Sequence, residues 1–158
     1  MYSPIWGFDG SQIYKFAYEL DSSGNTTGKY LIAGDFTTYR GQDVPDGFIR
    51  LNADGTWDSS FNVGGSGGTV YTFQQELNAS GGATGKIFLG IANTTLWNGG
   101  SVPKGLIRID STGQYDTSFN NGGVGIDGFS YIIDILLQRD TAGKLHRQSL
   151  RYRELLEV

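Results

Sequence analysis

The chain repeats itself. Gly47 to Asn62 (GFIRLNADGTWDSSFN) and Gly105 to Asn120 (GLIRIDSTGQYDTSFN) are identical at eight of sixteen positions, and most of the others are conservative. The correspondence extends upstream, where Thr37-Thr38, Gly41 and Val44-Pro45 face Thr94-Thr95, Gly99 and Val102-Pro103, with one residue inserted near Asn98. Further back, Ile13 to Gly34 faces Val70 to Gly90. A period of 57 to 58 residues means that one supersecondary unit recurs, stabilised by its neighbours. A third copy begins near Tyr131, where YIIDILLQRDTAGK ends in the Gly-Lys pair also present at Gly28-Lys29 and Gly85-Lys86. It then breaks off. The chain thus divides into repeat 1 over 13–62, repeat 2 over 70–120, a partial repeat 3 over 129–144 and a divergent tail over 145–158.

Each copy reads as short strands separated by turn chemistry. Ile13 to Leu20 and Val70 to Leu77 carry aromatic and β-branched residues and run into Ser/Asn/Gly-rich loops, the pattern of a hairpin. Tyr30 to Ala33 and Ile87 to Ile91 are apolar runs of the kind buried on both faces of a sheet. Phe48 to Asn52 and Leu106 to Asp110 alternate, so that Arg50 and Arg108 point away from their apolar neighbours. Asn52-Ala-Asp-Gly55 and Asp110-Ser-Thr-Gly113 suit tight reversals, and Trp57 to Phe61 and Tyr115 to Phe119 are expected as fourth strands. The fold class is all-β, with tandem four-stranded blades of the β-propeller type. A β-solenoid with a long rung shares much of the same grammar.

The tail changes character. LHRQSLRYRELLEV is charged and lacks glycine, and it places Leu145, Ser149, Tyr152 and Leu156 at helical spacing. It is expected either as a short C-terminal helix or as sequence foreign to the repeat. Residues 139–158 hold five of the twelve Lys and Arg against three acids, and a solvated face is the expected fate of those charges.

Composition then excludes several functions. Twenty-five Gly with three Pro and no Cys fits many tight turns and removes disulfides, thiolate metal sites and thiol nucleophiles. A formal net charge of −4 with scattered basic residues argues against a nucleic-acid partner and against an anionic membrane. No stretch reaches transmembrane length. The N-terminal residues have no basic start followed by an apolar run, so no cleaved signal peptide is expected.

IAGDFTTYRG (Ile32 to Gly41) followed by IRLNADGTWDSSFN (Ile49 to Asn62) resembles the bacterial delta-60 repeat, and the resemblance spans two copies and part of a third. It implies propeller blades, and it implies a protein either of secreted bacterial surfaces or of phage tails and fibres. Copy two departs from the pattern with Ile91-Ala92-Asn93 where copy one has Asp35-Phe36, and copy three loses it after Lys144.

Candidate sites are few. Asn52, Asp54 and Asp58 around Gly55, and Asp110 and Asp116 around Gly113, offer the hard oxygen ligands that calcium takes. Their spacing is not that of an EF-hand loop, and turn formation accounts for them without a metal. No cofactor is therefore expected, calcium being the one candidate. Glu19 and Glu76 occupy equivalent positions in separate repeats, which suits an architectural role better than the facing acid pair of a glycosidase. His146 is the only histidine and has no triad framework around it. No enzyme is expected. A ligand site for sugar is read at Tyr39 and Arg40 in copy one and at Trp97 and Asn98 in copy two, where aromatic faces could stack on a sugar ring and the amide or guanidinium could bond its hydroxyls; Asn93 and Gly99 flank the latter pair. The competing reading packs Tyr39 and Trp97 between blades.

Two and a half blades cannot close a ring, and open repeat ends must be covered. The expected partners are further copies of the chain or other virion proteins, with a host-surface glycan as the ligand of an adhesive role. Three chains giving six blades is one closure. The expected function is that of a non-enzymatic structural or adhesive repeat protein located in a phage virion; the alternative is a fragment of a bacterial extracellular propeller that binds glycan or protein.

Overall fold

The computed structural model describes residues 7–8, 11–92, 95–120, 123, 125–126, 130–139 and 145–156, the last of these and 130–131 and 138–139 by their backbone alone. Every regular element among them is a strand. Repeat 1 contains β1 (Ile13–Leu20), β2 (Thr26–Gly34), the short pair β3 (Thr38–Tyr39) and β4 (Gln42–Asp43), and β5 (Phe48–Leu51). Repeat 2 returns the same series as β6 (Val70–Leu77), β7 (Ala83–Ile91), β8 (Leu96–Trp97), β9 (Gly100–Ser101) and β10 (Leu106–Ile109). A hairpin of β11 (Ser130–Arg139) and β12 (Leu145–Leu156) follows.

Each repeat forms an antiparallel three-stranded sheet, in the order β1-β2-β5 and β6-β7-β10. The expected fourth strand is reduced to one bridge, Leu51 to Trp57 in repeat 1 and Ile109 to Tyr115 in repeat 2. Its brevity has a local cause. Asp58 Oδ1 accepts the Ser60 amide at 3.1 Å and Asp116 Oδ1 the Ser118 amide at 3.0 Å, so an Asx turn bends the chain one residue after the bridge.

The tail is a strand, which corrects the helical expectation. β12 pairs with β11 from Ser130–Leu156 to Arg139–Leu145, so cross-strand pairing overrides the helical spacing of its side chains. β11 carries the same irregularities as the other first strands. Register shifts fall at Ile13/Lys15 and Tyr18/Leu20 in β1, at Val70/Thr72 and Gln75/Leu77 in β6, and at Ile132/Asp134 and Leu137/Arg139 in β11. These bulges align Ile13, Val70 and Ile132 as equivalents, and likewise Phe16, Phe73 and Ile135, then Tyr18, Gln75 and Leu137. The Gly143-Lys144 pair that marked the third copy lies outside the described residues.

Alternation gives each sheet two faces, and both are buried where a neighbour is present. One face of repeat 1 carries Leu31, Ala33, Phe48 and Arg50; the corresponding face of repeat 2 carries Phe88, Gly90, Leu106 and Arg108. This is called the Arg face. The opposite, Ile face carries Tyr30, Ile32, Ile49 and Leu51 in repeat 1 and Ile87, Leu89, Ile107 and Ile109 in repeat 2. The main core joins the Arg face of repeat 1, through Leu31, Ala33, Phe48 and Phe61, to the Ile face of repeat 2, through Phe73, Ile87, Leu89, Ile107 and Ile109. A smaller core joins the Arg face of repeat 2, through Phe88, Leu106 and Phe119, to Ile132, Ile135 and Leu137 of β11. The units therefore stack face to face in one sense, as successive blades do.

Close approach fixes the stack at two glycines. A Cβ on Gly90 would meet the Ile132 carbonyl oxygen at 2.7 Å and the Thr72 methyl at 2.8 Å, and a Cβ on Gly82 would collide with the Ser22 carbonyl in the hairpin tip of repeat 1. Backbone hydrogen bonds cross the first interface as well, from Ala83 N to Asp21 O at 2.7 Å and from Asn62 N to Thr112 O at 3.1 Å.

Candidate functional site

The most concentrated polar chemistry in the structure is a cluster built twice, once on each Arg face. In repeat 1, Arg50 projects from the alternating strand β5 and donates from Nη1 to Glu19 Oε1 at 2.8 Å and from Nε to Asp58 Oδ2 at 2.9 Å. Lys29, at the Gly-Lys step of β2, donates to the same Asp58 oxygen at 2.6 Å. In repeat 2, Arg108 bonds Glu76 at 3.0 Å and Asp116 at 2.9 Å, and Lys86 reaches Asp116 at 2.8 Å. Thr27 and Thr84 hydroxyls donate to the second oxygens of Glu19 and Glu76 at 2.8 and 2.6 Å. Each cluster is a Glu–Arg–Asp–Lys chain in which every carboxylate oxygen accepts from at least one donor.

Packing holds the clusters in place. The Arg50 guanidinium lies 4.4 Å from the Phe61 ring centroid, and Arg108 lies 5.1 Å from that of Phe119 and 5.7 Å from that of Phe88. Side-chain exposures of 12% and 15% for the two arginines place them within the blade stack rather than in open solvent. Burial pushes the Asp58 carboxyl up, but hydrogen bonds from Lys29 and Ser60 and the charge of Arg50 outweigh it and hold the group well below the usual carboxylate range. Asp116 is held low in the same way by Lys86, Ser118 and Arg108 against burial. Such carboxylates stay ionised and committed to their partners, which suits an architectural joint and is the reverse of a general acid.

Glu19 and Glu76, read from sequence as architectural, stand at the ends of these chains. The turn residues proposed for calcium have other partners. Asp54 Oδ1 accepts the Thr56 amide at 2.9 Å and its hydroxyl at 2.7 Å; Asp110 Oδ1 accepts the amides of Thr112 at 2.8 Å and Gln114 at 3.1 Å. Among the described residues no three metal-capable side chains converge.

The four residues read as a sugar site are brought to equivalent places. Tyr39 and Trp97 are 7% and 2% exposed, so their rings present no free face for stacking. Tyr39 OH donates to Gly55 O and Trp97 Nε1 to Gly113 O, both at 2.8 Å, tying each short hairpin to the Asx-type turn of its own repeat. Trp97 belongs to the core between the two repeats, and Tyr39 to the core on the Ile face of repeat 1. Arg40 and Asn98 follow them with φ of 51° and 50°. The Asn98 amide donates to Gly65 O at 2.8 Å and its side-chain oxygen accepts the Gly64 amide at 3.0 Å, which clamps the connection between repeats. Arg40 N donates likewise to Gly7 O at 2.8 Å. Asn93 and the side chain of His146 lie outside the described residues.

Residues 26–61 match the family model of a beta-propeller domain of unknown function, DUF5122. The matched segment runs from β2 through the bridge at Trp57 to Phe61, and it includes Lys29, Arg50 and Asp58 of the first cluster. The match and the face-to-face stack agree on a β-propeller repeat fold. Comparison with curated proteins and with solved structures gives no match.

What sequence reasoning missed is the cluster itself. Lys29 and Asp58 are 29 residues apart and meet only across the sheet. The signal was present in the equivalent spacing of Lys29, Arg50 and Asp58 with Lys86, Arg108 and Asp116, since charged residues that recur together at one phase of a repeat have a common partner set.

Proposed function

We propose that the chain is a non-enzymatic structural and adhesive repeat protein of the delta-60 type, serving as a tail, fibre or decorating part of a phage particle, where its partners are other copies of itself or other virion proteins. The observation that carries the reading is the duplicated Glu–Arg–Asp–Lys cluster. Its charges are paired with one another within each repeat, which favours stiffness of each blade over chemistry on a substrate. A rigid stack of short strands displays its connecting segments at fixed spacing, the arrangement that binding and assembly proteins exploit. The match over residues 26–61 to a β-propeller model supports a β-propeller repeat, the broader class to which this reading belongs.

The test is immunogold labelling of purified particles from the producing culture, with antibody raised against the recombinant chain. Label on tails or fibres is the expected result. Protein found on bacterial surfaces and absent from particles would overturn the virion assignment and favour the extracellular propeller instead.

A further inference from the structure

Every repeat in the stack covers the Ile face of the next, and repeat 1 has none before it among the described residues. The β1 margin of its Ile face is aromatic and exposed. Phe16 is 56% exposed, Tyr18 49% and Ile13 41%, whereas their equivalents Phe73, Gln75 and Val70 are 1%, 8% and 0% exposed under repeat 1. Phe16 stacks on Tyr30 with centroids 5.4 Å apart, and Tyr18 lies 5.0 Å from the same ring, so the exposed residues form one continuous patch. Apolar patches of this kind on a repeat end mark an interface.

The other end offers one exposed apolar side chain. In β11, Ile135 and Leu137 face repeat 2, and Leu136 between them points to the opposite side, where it is 56% exposed. Leu136 occupies the position of Ala17 in β1, which packs into the core under repeat 2. One end thus presents an exposed aromatic margin along β1, beside the part of the Ile face that Ile32, Ile49 and Leu51 bury with Phe36 and Tyr39, and the other end presents Leu136 on the Arg-face side of β11. The Gly7 contact adds continuity, since Arg40 N to Gly7 O reproduces the Asn98 N to Gly65 O bond by which the inter-repeat connection lies on repeat 2.

We propose that the β11–β12 end of one chain docks on the Phe16–Tyr18–Tyr30 face of a second copy, extending the blade stack between molecules. The contact is heterologous, so it closes a ring or propagates as a filament according to the rotation per chain. The proposal is independent of the virion assignment.

The test is sedimentation velocity of the full chain over a concentration series, with Phe16→Glu/Tyr18→Glu and Leu136→Glu variants. The wild type is expected to populate whole multiples of 17.2 kDa. Each variant is expected to sediment as a monomer with an unchanged far-UV spectrum, because the substituted side chains are exposed in the single chain. Mixing the two variants leaves one intact end on each and is expected to restore a dimer but nothing larger. A wild type that stays monomeric throughout overturns the proposal. Assembly that persists in both variants, or a mixture that stays monomeric, overturns it as well. Should the double variant misfold, Tyr18→Gln, which installs the residue of repeat 2, supplies the same reading by weakened assembly, and unaltered assembly counts against the proposal.

Discussion

Replacing Phe73 by alanine removes the ring at the centre of the contact between the two repeats. The side chain is 1% exposed, its centroid lies 5.2 Å from that of Phe48 in repeat 1, and Lys15 Nζ sits 5.4 Å from its centroid. A buried Phe→Ala change costs about 3–5 kcal/mol, and the aromatic pair places this site in the upper half of that range, about 4 kcal/mol. For a chain of this size such a loss lowers Tm by roughly 8–16 °C. The control is Phe16→Ala, the same repeat position with 56% of the side chain in water, where roughly half of the transfer energy is at stake and the cost is about 1 kcal/mol. Urea denaturation followed by tryptophan fluorescence, at concentrations where the chain is monomeric, measures both from the shift in midpoint at constant m-value. Equal costs at the two positions, or a Phe73→Ala cost below about 1 kcal/mol, would refute the face-to-face stacking of repeats from which these numbers come.

Acid should destabilise each blade through the paired aspartates. Their folded-state pKa values are depressed, so the stability they contribute is complete above the ordinary aspartate value and is lost as pH falls below it; a thermal-melt series from pH 7 to pH 2 should show this acid limb, and Asp58→Asn with Asp116→Asn should flatten it. Tyr39→Phe removes only the bond to Gly55 and should cost about 1 kcal/mol, read by the same urea titration. Gly90→Ala places a methyl against the Ile132 backbone and should cost about 1–3 kcal/mol, with faster amide exchange in β11 than in β1.

Much of the strand layout was legible because the repeat doubles every signal. The first strands run Ile13–Leu20 and Val70–Leu77 as their aromatic and β-branched pattern implies. The fourth strand was overread, since Trp57 to Phe61 has strand-like residues but Asp58 captures the Ser60 amide and turns the chain. The tail was misread for a different reason. Its side-chain spacing suits a helix, and only its pairing with β11, set by tertiary contact, selects the strand. Arg50 and Arg108 were placed on the correct side of their strands, but alternation cannot tell solvent from a neighbouring blade, and both sides of a stacked sheet are enclosed. The same limit governs Tyr39 and Trp97, whose loop positions suggested exposure while their burial depends on residues folded against them from other elements.

The stacking of repeat 1 on repeat 2 is tested most directly by a nuclear Overhauser measurement on the chain labelled in phenylalanine, with Phe48→Leu and Phe73→Leu variants for assignment. Phe48 and Phe73 belong to different repeats, and their centroids stand 5.2 Å apart. A ring-to-ring cross-peak between them, lost in either variant, is the predicted result. A folded chain in which both rings are assigned and no such cross-peak exists would contradict the account.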